Sequence, residues 1–550
     1  DSGSFLMDYL ESVRSWLAQD PDPVTRAELT ELMETESVAE ITSRFSQRLE
    51  FGTAGLRGEL GAGPNRMNRI VVAQTAKGLA EFLNQNHDTY QDRAGKLSVV
   101  IGYDGRVNSD IFARDSAEIL QASGIQTFLF DRAVPTPVAA FTGRRMSSSA
   151  TIVVTASHNP PRDNGYKVYL GGPTGQSQLT PPQDAQIASL IDNIAEHATF
   201  DGIEKSGDYS LIGQREIDAY LERAMELIPG AESEFARRRN ISITHTALHG
   251  VGWFVVNQLM TRAGFNCSPV AAQAEPDGLF PTVSFPNPEE QGAMDLSFDT
   301  AKKLHSDLIL ANDPDADRLA VGVLQDGHYR MLTGDEVGIL LADHLAPTSK
   351  VIANSIVSAD LGALAEFHGV DYQHTLTGFK WISKVRDLGY GYEEALGYCV
   401  DPDYTPDKDG ITAALVIAEM ASKLALKNLS LVDELDRIAD QFGHVATGQV
   451  SIRVTSTETI AKIMSGLREA PPALVAGDAV TFADYLASPD AMKSDALIFK
   501  GAQVKVIVRP SGTEPKLKCY LQATGETKDQ AHHLLKALRE FASATLNALQ

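Results

Sequence analysis

The sequence predicts an α/β protein of several domains with mostly parallel sheets, and three observations carry that prediction. Short apolar, β-rich runs recur at 97–101, 127–130, 151–155, 241–244, 308–311 and 351–356, with helical stretches between them. The 550 residues, 43% of them hydrophobic, supply material for several packed cores. Regular patterns give way to polar or glycine-bearing turns near Asp208, Val323 and Gly443, dividing the chain into 1–208, 209–323, 324–443 and 444–550.

The elements follow in order. Phe5, Tyr9, Leu10, Val13, Trp16 and Leu17 recur at helical spacing until Asp20-Pro21, so an amphipathic helix opens the chain as an extension to the first domain. Three strand-then-polar-loop units follow, ending at Ser157, Asp313 and Glu393, and suggest that several domains share one topology. After the strand 504–508 and the loop 509–516, Leu534, Leu535, Leu538, Phe541 and Leu546 line one side of a closing helix. A net charge of -24 argues against nucleic acid or an anionic membrane as a partner, since both favour a basic surface. No apolar run approaches the roughly 20 residues that span a bilayer. Cys267, Cys399 and Cys519 lie far apart without metal spacing, so a reducing cytoplasm is expected.

Four loops carry chemistry. The run Ile152-Val153-Val154 delivers Ser157 to a strand end, where ligands of open α/β sheets collect. A serine hydroxyl needs a base, a metal or prior phosphorylation to react, and His158 and Lys167 are candidate proton handlers; alone, the Ser-His pair also reads as turn chemistry. In the second loop, an extended backbone would point Asp313, Asp315 and Asp317 the same way, toward one hard cation. A calcium EF-hand is excluded because Arg318 and Leu324 stand where it needs Gly and Glu, which favours magnesium over a merely solvated acidic turn. In the third region Thr377, Gly378 and Lys380 precede Glu393 and Glu394, which either accept hydrogen bonds from sugar hydroxyls or stand as acids at a helix start. Arg509, Ser511, Gly512, Thr513 and Lys516 form the fourth, with the parts of a phosphate cradle or of a plain Pro/Gly surface loop. Neither a Walker A sequence nor a Rossmann fingerprint is present.

Together these loops resemble, in order and over nearly the whole chain, the phosphoserine, magnesium, sugar-binding and phosphate-binding loops of the α-D-phosphohexomutase superfamily, which includes phosphoglucomutases, phosphomannomutases and phosphopentomutases. Gly52 to Arg57 and Gly102 to Arg106 are also similar to the family's pattern. The resemblance implies three related mixed α/β domains and a C-terminal α+β domain around a central cleft. It implies reversible phosphoryl transfer between the C1 and C6 (or C5) oxygens of a phosphosugar, through a phosphorylated Ser157 and a sugar bisphosphate. Mg2+ would be held by Asp313, Asp315, Asp317 and a phosphoryl oxygen on Ser157, with Arg57, Arg318 and Lys167 offsetting charge. Lys167, His158 and Lys408 are the candidate acid–base groups, Lys167 favoured. Glu393, Glu394, Thr377, Gly378, Lys380 and Lys408 would bind the sugar, and Arg509, Ser511, Gly512, Thr513 and Lys516 its second phosphate. A sugar 1,6-bisphosphate, or a pentose bisphosphate, would prime the serine. Many hexose-specific relatives carry Ser where this chain has Ala395, so the sugar loop looks closest to the phosphopentomutase and phosphoglucomutase branch. Pentose mutase and sugar bisphosphate synthase activities are the alternatives, and a monomer or dimer is expected.

Overall fold

The computed structural model describes residues 2–230, 232–487, 494–511 and 515–550. The chain forms two compact units, Asp1–Gly334 with Ala395–Asn428, and Asp335–Glu394 with Leu429–Gln550.

The first unit holds two mixed sheets. In the larger, Ala150–Val154, Ser98–Tyr103, Gln126–Phe130 and Ser210–Ile212 run parallel, while Asp163–Leu170 and then Leu56–Glu59 extend the edge antiparallel. In the second, Leu308–Ala311, Ser242–Thr246 and Asn266–Pro269 are parallel, and Ala320–Gln325 and His328–Met331 close one side antiparallel. The expectation of mostly parallel sheets therefore holds except along one side of each. Parallel strands need long crossovers, whereas the antiparallel strands Asp163–Leu170 and Ala320–Gln325 each return directly after a short loop. Those short loops are the serine loop, between Val154 and Asp163, and the acidic loop, between Ala311 and Ala320. Both strands leading into them are wholly buried, so backbone pairing on each side fixes where the loops emerge.

The opening helix Ser2–Gln19 buries Val13 and Trp16, and Tyr9 and Leu17 pack partly against the same core; the side chain of Phe5 lies outside the described residues. Trp16 Nε1 donates to Asp20 Oδ2 at 3.0 Å, and Thr25 Oγ1 donates to the same oxygen at 2.6 Å, which ties the helix end to the next helix. Late in the chain, Gly410–Ala425 is apolar on nearly every face and is buried as a central helix of this unit. Asp409 caps it, accepting from the amides of Ile411 and Thr412 at 2.9 and 3.0 Å.

In the second unit Asp371–Thr375, Val351–Ser355 and Leu388–Glu393 run parallel. The C-terminal sheet is antiparallel, in the order His444–Arg453, Lys516–Gly525, Val504–Pro510, Leu497–Gly501, Asp478–Asp484 and Leu474–Val475. The closing helix Lys528–Ala548 buries Leu535, Leu538 and Leu546, with Leu534 and Phe541 partly covered. Asp208 falls in a connection and Gly443 just after the helix Leu431–Phe442, whereas Val323 lies inside Ala320–Gln325. No helix among the described residues is long and apolar enough to cross a membrane.

Candidate active site

Ser157 is held in an unusual backbone conformation. Its φ is 53°, a left-handed geometry that costs a residue with a side chain about 1–3 kcal/mol. Several bonds offset that cost. Thr155 Oγ1 accepts the Ser157 amide at 2.9 Å and donates to Asp104 Oδ2 at 2.6 Å. The buried Arg106 guanidinium closes the loop, donating from Nη2 to the carbonyls of Ser157 and Asn159 at 2.6 and 2.8 Å. Its Nη1 reaches the carbonyls of Pro160 and Asp163 at 2.9 and 3.2 Å. Gly165 lets the neighbouring strand come close, because a Cβ there would meet the Thr155 carbonyl oxygen at 2.6 Å. Thus oriented, Ser157 Oγ donates to Asp313 Oδ2 at 2.9 Å, with His158 Nδ1 at 3.4 Å. Burial, then the charges of Arg318 and Arg57, push His158 down to about 3, so its ring is neutral near pH 7.

Asp313, Asp315 and Asp317 are fully buried, and one oxygen from each lies within 4.8 Å of the others. The convergence does not come from the extended backbone expected above. The loop turns, with the Ala316 amide bonded to the Asp313 carbonyl at 2.9 Å and Ala316 itself at φ 59°. Asn312 Nδ2 donates to the Arg318 carbonyl at 2.7 Å and closes the turn. Lys167 Nζ reaches Asp315 Oδ2 at 2.8 Å and Asp317 Oδ2 at 3.2 Å, and Lys408 Nζ lies 3.5 Å from Asp317 Oδ2. Thr136 donates to Asp315 twice, from Oγ1 to Oδ2 at 2.7 Å and from its amide to the carbonyl at 2.9 Å. Arg318 donates its amide to Asp313 Oδ1 at 3.1 Å and Nη1 to the Ala395 carbonyl at 2.9 Å.

Burial works against charge on all three carboxylates. Asp313 yields and stands well above the usual carboxylate range, raised by burial and by its two neighbours. For Asp315 and Asp317 the attraction of Lys167, joined by Thr136 at the first and by Lys408 and Arg318 at the second, outweighs burial and holds them below that range. Lys167 mirrors this: burial lowers it, Asp315 and Asp317 raise it further, and the ammonium is kept. Asp315 Oδ1 and Asp317 Oδ1 are buried without a hydrogen-bond partner. Buried oxygens of that kind are costly unless something binds them, and three hard oxygen donors suit a divalent cation; the group is able to hold a metal ion.

Arg57 sits opposite Gly165 in the strand pairing and donates from Nη1 to Asn159 Oδ1 at 3.2 Å. Beneath Lys408, Asp407 Oδ1 lies 3.5 Å from its Nζ, and Asp407 Oδ2 accepts from Tyr169 Oη at 2.7 Å. The first unit thus gathers Ser157, His158, Lys167, Arg57, Arg318, Lys408 and the three aspartates.

The second unit carries the remaining predicted residues. Glu393 ends the strand Leu388–Glu393, so it and Glu394 are not acids at a helix start. Glu394 Oε2 accepts from Ser355 Oγ at 2.9 Å and Ser358 Oγ at 2.8 Å. Thr377 and Gly378 form a turn, Gly378 at φ 125°, before the short helix Phe379–Ile382, and Lys380 Nζ stands 5.6 Å from the Trp381 ring centroid. Arg509 lies over Tyr520 at 5.7 Å, and the Ser511 amide donates to the Lys516 carbonyl at 2.8 Å, which brings the two ends of that loop together. Gly512 and Thr513 lie outside the described residues.

The chain matches the phosphoglucomutase/phosphomannomutase alpha/beta/alpha domains I, II and III over residues 48–198, 218–326 and 333–438, and the C-terminal domain over 423–541. It belongs to the phosphoglucomutase/phosphomannomutase family. Among its relatives, a probable phosphomannomutase of Haemophilus influenzae is 43% identical, covering 86% of this chain and 96% of that protein. A probable phosphoribomutase of Schizosaccharomyces pombe is 33% identical, covering 95% and 94%. The crystal structure of a putative phosphomannomutase from Thermus thermophilus shares the fold, with a TM-score of 0.69 at 21% identity over 91% of this chain and 99% of the other. As a member of this family the chain is a phosphosugar mutase, an enzyme of intramolecular phosphoryl transfer.

Sequence reasoning missed several side chains on which this phosphosugar mutase site rests. Arg106 was visible only as part of a motif, although an arginine two residues beyond a strand-end aspartate is a detectable signal. Thr136 gave none: it lies 179 positions from its partner Asp315. Ser355 and Ser358 were equally silent, since their role depends on the pairing of Val351–Ser355 beside the strand that ends at Glu393.

Proposed function

We propose that this enzyme interconverts hexose 1- and 6-phosphates in the phosphoglucomutase/phosphomannomutase manner, with Ser157 as the phosphoryl carrier. The observation that supports it most is Ser157 Oγ set 2.9 Å from Asp313 within the buried aspartate cluster. In the first half-reaction the P–O bond to Ser157 breaks as a bond to the sugar hydroxyl oxygen forms. That hydroxyl loses its proton and the serine oxygen gains one, and the second half-reaction reverses these changes at the other end of the sugar. Lys167, kept as an ammonium, is assigned the proton delivered to the serine oxygen. Arg57 and Arg318 supply fixed positive charge for the phosphoryl oxygens, the main protein contribution in this chemistry. Asp313, Asp315 and Asp317 would hold Mg2+, which when bound draws charge from the phosphoryl group.

Glu393 and Glu394 are assigned to the sugar hydroxyls, with Ser355 and Ser358 fixing one oxygen of the Glu394 carboxylate. Thr377, Gly378, Lys380 and Lys408 complete sugar binding, and Arg509, Ser511, Gly512, Thr513 and Lys516 anchor the phosphate that is not being transferred. A sugar 1,6-bisphosphate primes the serine. Three free thiols fit the cytoplasm as its compartment. Pentose phosphates are the second reading, favoured by Ala395, which lacks the hydroxyl that many hexose-specific relatives offer. A lost hydrogen bond of about 0.5–1.5 kcal/mol biases this choice without deciding it.

Two measurements test the proposal. Ser157→Ala should abolish isomerisation without changing the circular dichroism spectrum, and normal turnover would remove Ser157 from the mechanism. Relative kcat/KM for glucose 1-phosphate, mannose 1-phosphate and ribose 1-phosphate, each with its bisphosphate primer, ranks the substrates; a preference for ribose 1-phosphate would replace the first reading with the second.

A further inference from the structure

The first unit contains a cavity of about 510 Å³ that shares no lining residue with the serine and aspartate loops. Arg93, Arg144, Arg145, Glu222, Asp403 and Tyr404 lie on its wall. A second hollow, about 370 Å³, shares Arg93 and Arg144 with it. Such a concentration of guanidinium groups stands out on a chain of net charge -24.

The arginines differ in their occupation. Arg223, also on the wall, is saturated: it grips Asp401 through two bonds of 2.9 Å, pairs with Glu226 at 2.6 Å and lies 3.6 Å over the Tyr404 ring. It thereby holds the aromatic ring in place. Arg144 is oriented by carbonyls alone, Nε on Asp403 O and Nη1 on Gly175 O, each at 3.0 Å. Arg93 and Arg145 are exposed and make no ion pair or side-chain hydrogen bond among the described residues.

We propose that this cavity is a second binding site for a phosphorylated sugar, separate from the catalytic centre and acting on it. The planar forks of Arg93 and Arg145, with Arg144 already oriented, suit a phosphate group. The Glu222 and Asp403 carboxylates accept hydrogen bonds from sugar hydroxyls, and the Tyr404 ring offers an apolar platform beside them. Phosphate alone would leave both carboxylates unused. A free sugar would leave the arginines unused.

Both walls lead to the aspartate cluster. Arg144 and Arg145 end the helix Thr136–Arg145, whose first residue makes the two bonds to Asp315. Asp403 and Tyr404 precede Asp407 and Lys408, and Lys408 faces Asp317. A ligand that draws these walls together bears on two of the three carboxylates through one rigid helix and one short loop.

Equilibrium titration of the full-length protein with glucose 6-phosphate tests the assignment. Two bound equivalents are expected for the wild type and one for Arg93→Gln/Arg145→Gln, whose turnover at low substrate should stay within twofold. At saturating substrate, high glucose 6-phosphate should shift wild-type kcat at least twofold and leave the variant unmoved. Equal counts in the wild type and the variant overturn the site. Inorganic phosphate binding the cavity as tightly as glucose 6-phosphate overturns the phosphosugar assignment, and binding without a change in kcat overturns its action on the centre. The difference of one equivalent between the two proteins reads the cavity alone, so it stands even if the catalytic centre does not take hexose phosphates.

Discussion

Arg106 bonds to Ser157 through the serine's carbonyl oxygen, and four carbonyls of the serine loop meet at its guanidinium. A lysine keeps the charge but cannot span four acceptors with a planar fork. Arg106→Lys should therefore lower kcat about 10–100-fold, the scale set by a misplacement near 1 Å, while substrate KM changes little. Steady-state kinetics beside a urea melt checks this, and an unchanged kcat would show that the left-handed Ser157 holds itself. At this scale the reactive groups were legible because phosphoryl chemistry uses few residue types in tight clusters. Their supports were not, since a backbone-binding arginine or a distant threonine leaves no local pattern.

At the scale of elements, the apolar runs located the strands that aim the site, at Ala150–Val154, Leu308–Ala311 and Val351–Ser355. The antiparallel edges escaped because periodicity reports burial, not direction. The turn at Ala316 escaped because a single left-handed alanine has no sequence mark. Element-level electrostatics also set a pH response. Glu419, on the buried helix Gly410–Ala425, is raised by burial but lowered more strongly by Arg238 and Arg237, at 2.7 and 2.6 Å, and stands at about 2. A carboxyl depressed in the folded state contributes full stability above its unfolded value near 4.3 and loses it as pH falls toward 2. Between pH 6 and pH 4 the loss is at most about 0.8 kcal/mol, less what solvent screening removes. Urea unfolding of Glu419→Gln should show a correspondingly flatter change over that interval, and an identical slope would dismiss the pairing as a source of acid sensitivity.

For the whole molecule, three buried carboxylates in one cluster mean that a divalent cation should govern stability as well as turnover. Chelation should abolish activity, and Mg2+ at 100 times its Kd should restore it while stabilising the fold by about 2.7 kcal/mol. Differential scanning calorimetry of wild type and Asp317→Asn, with and without Mg2+, reads this directly; an equal upward shift in both would place the cation elsewhere. The order of chain segments has a separate consequence. The first unit takes Ala395–Asn428 from beyond the start of the second, and that segment includes the capped helix that is buried from Gly410 to Met420. On a ribosome, which releases the chain from its N-terminus, the strands bearing Ser157 and the aspartates emerge long before the helix that completes their core. The unit that holds Ser157 and the aspartates can be finished only after part of the other unit has been synthesised, so any nascent or truncated chain ending before Ala395 carries that serine without the interior that supports it.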